Sequence, residues 1–392
     1  MSGLRRIAIV GASVGGLTTA ESLRRYGFDG VISLIGDEVH PPYDRPPLSK
    51  QVLSGKWTPD RASLRRAADI AALELDLRTG TKAIGLRPGL RQVELDGGKA
   101  VECDAAVIAT GLRPRQLPML RGLVGVHVVR TIDDALALRA AVLEAERLIV
   151  VGAGFLGTEI AATIREMGPR VTLVDLVPEP VTLQLGQEMG RLVAQLHRDH
   201  GVDVRMGVGV AEPIVDNNHI RGLALTDGSR VPADLVVTAV GSVPATQWLH
   251  GAGLDLTDGL VCDAMCRASP GVYAVGDVAR WPHANVGGHI RIEQRTNAAE
   301  QAQAVARNLL AGSGARPYAP LNFAWTDQYD VKIQMYGHRR ADATFALIEG
   351  SPRDGRFVGA YLDGGEVTAV VGWNSPKSLL RHRELVRADA AA

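Results

Sequence analysis

Short apolar runs closed by glycines set the rhythm of the chain. Ile7-Ala8-Ile9-Val10 ends in Gly11-Ala12-Ser13-Val14-Gly15-Gly16, and a helix-spaced pattern follows through Leu17, Ala20, Leu23 and Tyr26. A second run, Val31 to Ile35, ends in Gly36-Asp37-Glu38. Strands buried in a parallel sheet are continuous apolar runs rather than alternations. The order predicted is therefore strand, glycine turn, helix, strand, acid.

The same order recurs. Leu148 to Val151 leads into Gly152-Ala153-Gly154-Phe155-Leu156-Gly157, a helical pattern continues to Met167, and Val171 to Val174 ends at Asp175. Both halves close alike. Asp96-Gly97 and Asp227-Gly228 predict hairpin turns. Asp104-Ala-Ala-Val-Ile-Ala-Thr-Gly111-Leu-Arg-Pro114 matches Asp234-Leu-Val-Val-Thr-Ala-Val-Gly241-Ser-Val-Pro244. Gly241 follows Gly111 by 130 residues and Gly152 follows Gly11 by 141. A repeated βαβ unit implies two dinucleotide sites, for two different dinucleotides.

A further strand is predicted at Gly271 to Asp277, with a helix from Asn297 to Leu310 and a linker at Gly312 to Pro317. Beyond it the pattern changes to alternation: Thr344 to Ile348, Arg356 to Leu362, a turn at Asp363-Gly-Gly365, then Val367 to Val371. This predicts a small antiparallel sheet closed by a helix near Ser378 to Val386.

Composition narrows the function classes. At 392 residues, two or three domains are expected. Hydrophobic residues are 46% and charged ones 22%, as in folded proteins. Lys plus Arg and Asp plus Glu balance at 43 each, which argues against an electrostatic nucleic-acid binder. No apolar run is long enough to span a membrane, and the N-terminal apolar stretch passes straight into glycines rather than forming a signal-peptide core. The three cysteines, Cys103, Cys262 and Cys266, exclude a disulfide scaffold and suit a reducing cytoplasm. Cys262 and Cys266 lack the His or Cys partners of a metal site and are expected to be buried thiols, so no metal is predicted.

A glycine turn opening a helix binds phosphate because the backbone comes close and the helix end offers free N–H groups and a positive dipole. Gly152, Gly154 and Gly157 satisfy the full pattern. Asp175 lies 18 residues after Gly157, where an acid bonds a ribose 2′-hydroxyl. Leu176 to Pro180 carry no positive charge to offset a 2′-phosphate, so NADH is expected over NADPH. In the first copy Ser13 replaces the second glycine, but it is small and can itself donate to phosphate. Gly11, Ser13, Gly15 and Gly16 form that turn. Asp37 or Glu38 would take the adenosine ribose, with Asp37 favoured.

Pro41 to Lys50, with four prolines in its first seven residues, is a rigid extended piece opening a predicted helix near Leu48. With this segment the chain resembles the flavoprotein family of ferredoxin, putidaredoxin and rubredoxin reductases. The resemblance is carried by Pro42-Tyr-Asp-Arg-Pro-Pro-Leu-Ser-Lys50, Ala109-Thr110-Gly111, Gly152 to Glu159, Val275-Gly-Asp277, the set Glu293, Asn297 and Gln301, and Trp325-Thr-Asp-Gln-Tyr329. They stand in the family's order along essentially the whole chain.

The resemblance implies an α/β fold with two Rossmann-like dinucleotide-binding domains, glutathione-reductase-like, plus a C-terminal α+β domain. An FAD domain would span 1–113 and 241–318, an NAD domain 114–240, and the C-terminal domain, 319–392, would cover the flavin. By position it places Gly11, Ser13, Gly15, Gly16 and Asp37 on FAD, with Arg45 and Lys50 along the cofactor and Lys50 near the isoalloxazine. Ala83 would touch the adenine through its backbone. Thr110, Gly111, Arg130 and Gly241 would also face FAD, Asp277 would bond its ribityl or pyrophosphate, and Trp325 would pack beside the flavin. Gly152, Gly154, Gly157 and Asp175 would hold NADH. Glu159 would sit at the nicotinamide and pair with Lys50. Arg295 would lie near the flavin edge, where relatives often carry apolar residues.

No CxxC exists and no cysteine lies near Lys50, so electrons must leave for an external acceptor. No iron–sulfur cysteine pattern exists in the chain either. The resemblance implies that NADH reduces FAD, with positive charge at Lys50 favouring the reduced cofactor, and that electrons pass singly to a small [2Fe–2S] ferredoxin feeding a haem or Rieske-type oxygenase. Arg65-Arg66, Arg295 and Arg339-Arg340 are candidate docking cations for such an acidic, transient partner. An NADH oxidase-like flavoenzyme and an NADH-sensing flavoprotein of the apoptosis-inducing-factor type stay open as alternatives.

Overall fold

The computed structural model describes residues 3–386. Its first sheet has six strands in the order Arg267–Ser269, Val272–Ala274, Ala105–Ile108, Arg6–Val10, Val31–Ile35, Asp76–Arg78, parallel except for the first pair. The second has five parallel strands in the order Asp203–Met206, Arg170–Asp175, Arg147–Val151, Leu235–Thr238, Val126–His127. In each sheet the strand before the glycine turn lies between the next strand of the unit and a strand from its end. The chain therefore leaves in opposite directions on either side of that strand, the switch point at which open α/β sheets bind ligands.

The repeat extends to single hydrogen bonds. Gly11 N–H donates to Ile35 O and Gly152 N–H to Val174 O, each at 2.8 Å. Ala109 and Ala239 donate to Val10 O and Val151 O, each at 2.7 Å. The Asp104 carboxylate accepts the N–H groups of Arg5 and Arg6, as Asp234 accepts those of Glu146 and Arg147. The Asp96 and Asp227 turns join antiparallel strands as the dipeptides predict.

The chain passes between the two sheets twice. Leu112–Pro114 and Ser242–Pro244 pair side by side in a two-stranded ribbon. The C-terminal sheet is antiparallel, ordered Phe323–Gln328, Val331–Gly337, Glu366–Trp373, Arg356–Asp363, Thr344–Ser351, with the Pro376–His382 helix against it. Its apolar face packs on Val181 and on Leu185, Met189 and Val193 of the Thr182–Asp199 helix that follows it. Gly186, at φ +76°, breaks that helix, and the Tyr361 hydroxyl donates to the adjacent Leu185 carbonyl. The C-terminal sheet is thus anchored to a helix that flanks the second glycine turn.

The predicted helix near Leu48 is only one 3₁₀ turn, Pro46–Ser49. The prolines of this segment set φ but cannot donate to a longer helical ladder. The segment is held instead by burial: Tyr43, Leu48, Val52 and Leu53 join the core of the second sheet. That packing carries Ser49 and Lys50 across to the Phe155–Met167 helix.

Candidate functional site

In each glycine turn the first and last glycines stand where no larger residue fits. A Cβ on Gly11, at φ +115°, would lie 2.1 Å from Ala109 O, and one on Gly16 would lie 1.9 Å from Gly11 O. The second turn repeats this: Gly152, at φ +105°, meets Ala239 O at 2.3 Å and Gly157 meets Gly152 O at 1.8 Å. The helices that follow, Val14–Arg25 and Phe155–Met167, start at Ser13 and Gly154 with no side-chain cap. Their first N–H groups are therefore available to an anion.

Both turns line one continuous cleft of about 1420 Å³. Asp37, Ala83, Thr110, Gly111, Gly241 and Trp325 line it too. Glu38 is engaged by the Tyr43 hydroxyl and by Arg45 at 2.8 Å, which leaves Asp37 as the exposed acid at the end of its strand. Asp175 accepts the N–H of Ala153 at 2.6 Å and of Val177 at 3.3 Å. That ties the acid to the turn it serves.

A charged cluster lies in the wall of the cleft. Arg45 donates to Arg130 O and Glu38, and Arg130 stands 3.8 Å from Asp277. Thr131 and Asp134 form a capping box at the start of the Ile132–Val142 helix, and Asp134 also accepts the Arg130 N–H. The helix start thereby fixes Arg130 toward the cleft. Its Nε is buried without a partner. Burial pushes the Asp277 carboxyl up and the Arg130 guanidinium opposes that shift. Two uncapped helix ends, this orphaned guanidinium donor and turns whose first and last glycines exclude a Cβ fit two dinucleotide pyrophosphates.

Lys50 and Glu159 meet where the units join. Lys50 Nζ lies 2.7 Å from Glu159 Oε2, which also accepts from Ser49 Oγ at 2.6 Å. Glu159 Oε1 accepts from Thr326 Oγ1 at 2.9 Å. Three stretches of chain, the Pro46–Ser49 turn, the Phe155–Met167 helix and the Phe323–Gln328 strand, therefore hold one buried carboxylate.

Trp325 stacks on Phe323 with ring centroids 5.8 Å apart. It lines the cleft and also an open groove of about 410 Å³, shared with Lys50, Arg295, Asp44, Asp327 and Lys332. Arg295 Nε bonds Asp44 at 3.0 Å, bridging the wall between groove and cleft. Of the candidate docking cations, Arg65, Arg66 and Arg340 are paired with Glu21, Asp69 and Asp363 and line neither space. Arg339 turns into the cleft wall, bonding Thr182 O and its own loop carbonyls.

Residues 5–302 match the family described as pyridine nucleotide-disulphide oxidoreductase, and 323–392 match the reductase C-terminal family. The chain belongs to the pyridine nucleotide-disulphide oxidoreductase family. It is an oxidoreductase of a pyridine-nucleotide family. Putidaredoxin reductase of Pseudomonas putida is 34% identical over 97% of this chain and 91% of its own length. The ferredoxin reductase component of chlorobenzene dioxygenase from Cupriavidus is 36% identical over 98% and 93%. Among solved structures, the covalent putidaredoxin reductase–putidaredoxin complex superposes with a TM-score of 0.92 at 32% identity, covering 97% of this chain and 93% of that one. A ferredoxin reductase from Rhodopseudomonas palustris gives 0.93 at 31% over the same shares.

The family name includes a disulphide, yet Cys103, Cys262 and Cys266 are free, buried and outside the cleft. Burial pushes the Cys103 thiol up to about 11 and the Cys266 thiol to about 12, so neither is a thiolate at neutral pH. Cys266 accepts a hydrogen bond from Gln301. No described helix is long and apolar enough to cross a membrane.

Sequence reasoning missed several residues of the site. Ser49 and Thr326 stand inside the Pro42 to Lys50 and Trp325 to Tyr329 motifs, but their bonds to Glu159 span 110 and 167 residues and no local pattern marks that contact. Gln328, beyond Thr326, was visible only as part of Trp325 to Tyr329. Tyr43 donates to Glu38 and accepts from Arg45 and from the Ile132 N–H. Its place among four prolines was the available signal.

Proposed function

We propose that this chain is an NADH-dependent FAD reductase that passes electrons singly to a small [2Fe–2S] ferredoxin supplying a haem or Rieske-type oxygenase. The observation that carries the reading is the single cleft into which two matched glycine turns open, with the Lys50–Glu159 pair at their junction. The named activities of the relatives point the same way. Residues 1–113 with 241–318 would form the FAD domain, 114–240 the NAD domain and 319–392 the flavin-covering domain. The buried, unbridged thiols suit the cytoplasm.

Bound FAD supplies the chemistry that converts a hydride from NADH into single electrons. The chain's residues do the rest. The N–H groups at Ser13 to Gly16 and at Gly154 to Gly157 hold the two pyrophosphates, and Asp37 and Asp175 take the adenosine riboses. Arg45, Arg130 and Asp277 fix the first dinucleotide, with Ala83, Thr110, Gly111 and Gly241 shaping its walls. Lys50 presents a fixed positive charge where negative charge develops. Glu159 orients that ammonium and closes the nicotinamide end. Trp325 and Arg295 form the wall toward the open groove. A transient redox partner needs only a small contact there, below about 1,200 Å². The balanced charge of the chain does not favour nucleic-acid binding.

The reading is tested by steady-state NADH oxidation with purified [2Fe–2S] ferredoxin, using cytochrome c as terminal electron sink. Turnover should saturate with ferredoxin. NADH consumption that follows oxygen and ignores ferredoxin would move the chain to the oxidase class.

A further inference from the structure

Behind Glu159 lies a buried polar chain that the function above does not use. Thr326 Oγ1, which donates to Glu159, accepts from Gln328 Nε2 at 3.2 Å. The same Nε2 donates to Thr158 Oγ1 at 2.8 Å, and that hydroxyl donates on to Gly154 O at 2.9 Å. Gln328 Oε1 faces His197 Nε2 at 2.9 Å, and His197 Nδ1 faces the Tyr329 hydroxyl at 3.2 Å. Thr158, His197 and Thr326 are 0% exposed and Gln328 is 1%.

Donor arithmetic fixes the direction of every bond. A carboxylate only accepts, so Thr326 spends its proton on Glu159 and must accept from an N–H. The Gln328 amide nitrogen is therefore the end toward Thr326 and Thr158, and its oxygen faces His197. His197 must then carry its proton on Nε2, leaving Nδ1 to accept from Tyr329. Tyr329 is held there at φ +55°, a conformation costly for a non-glycine residue, and its ring stacks on His200 at 3.7 Å. From Tyr329 through His197, Gln328 and Thr326 every donor points toward Glu159, and the Thr158 branch ends at Gly154 O. An amide in the middle does not carry protons onward, so the chain sets position.

We propose that Gln328, oriented by His197, is a positioning residue for hydride transfer that holds the Glu159 carboxylate and the Gly154 turn in one fixed relationship. Gln328 grips both ends of the nicotinamide dinucleotide site: Glu159 through Thr326, and the pyrophosphate turn through Thr158. The C-terminal strand thereby aligns a helix of the second unit rather than merely covering it. A buried polar network of this kind gives little stability over apolar residues of the same shape, so its use is the geometry it imposes. The inference rests on the functional reading above.

The test separates the two grips. With ferricyanide as electron acceptor and the FAD-replete chain, Thr326→Val cuts only the Glu159 branch. It should lower kcat about tenfold and leave the KM for NADH within about twofold, from the loss of one hydrogen bond to a charged group. Gln328→Met cuts both branches and should lower kcat and raise KM together. Thr326→Ser keeps the hydroxyl and should restore wild-type kcat. Unchanged kcat and KM in Thr326→Val and Gln328→Met, or a Thr326→Ser variant as slow as Thr326→Val, would overturn the proposal. Histidine ¹⁵N NMR of the unsubstituted protein, with or without FAD, reads the chain without turnover. His197 should carry its proton on Nε2, and a proton on Nδ1 alone contradicts the assignment. If the wild-type chain does not oxidise NADH at all, the functional reading fails, while the NMR result still decides the hydrogen-bond order.

Discussion

Lys50 and Glu159 lie 109 residues apart in sequence and form a 2.7 Å ion pair with side chains only 12% and 9% exposed. A pair this buried is costly to break from one side, because the remaining charge stays out of water. Lys50→Met should destabilise the FAD-free chain by about 3 kcal/mol in urea unfolding. It should also lower NADH-driven kcat by about a hundredfold through loss of a preorganised charge.

The second glycine turn offers a clean separation of folding from binding. A Cβ on Gly154 meets nothing nearer than Gln184 Nε2 at 3.4 Å, and the residue has φ −75°. Gly154→Ala should keep the wild-type melting temperature while raising the KM for NADH at least about tenfold, because the methyl occupies the approach of the pyrophosphate. Gly157→Ala places its Cβ 1.8 Å from Gly152 O and should abolish soluble, folded protein.

In the proposed function Asp175 sets the choice of nucleotide. Its carboxylate is bound by two backbone N–H groups and no cation follows in Leu176 to Pro180. An adenosine 2′-phosphate would face an uncompensated negative charge. Steady-state kinetics should give a kcat/KM for NADPH about a hundredfold below that for NADH, the scale of two to three kcal/mol for a buried unpaired charge contact. Equal values would remove this role from Asp175.

His197 makes stability fall on mild acidification. Burial lowers its pKa from 6.5 to about 4, so between those values the unfolded chain binds a proton that the folded chain refuses. The His197 contribution is expected to be flat above about pH 6.5 and to decline as pH drops toward 4, by on the order of 2 kcal/mol between pH 7 and 5. His338, also lowered to about 4 by burial and then by His283, adds in the same direction. Urea unfolding at pH 7 and 5 should show this loss, and His197→Gln should reduce it.

Much of the fold was legible because its information is local. Continuous apolar runs ending in glycine mark parallel strands at switch points, and the structure repeats that arrangement down to paired hydrogen bonds. The Lys50–Glu159 contact followed from the family resemblance. The supports of that contact were hidden for a physical reason. Thr326 and Gln328 alternate with Trp325 and Asp327 along a strand, as half-buried strand residues do, and nothing local says that their buried face is a helix of another unit. His197 likewise occupies an interior position of an amphipathic helix, where an apolar residue is the ordinary choice. The proline segment misled in the opposite sense: rigid and rich in turn residues, it forms one 3₁₀ turn that the core of the second sheet holds in place.

In the proposed function electrons enter from NADH and leave to an iron–sulfur protein rather than to oxygen. Anaerobic double-mixing stopped flow tests it directly: the yellow holoprotein meets NADH in the first mix and a [2Fe–2S] ferredoxin in the second. The account predicts rapid bleaching of the flavin band with NADH, a stable bleached state, and recovery of the band when ferredoxin arrives. Recovery with dissolved oxygen and none with ferredoxin would contradict it.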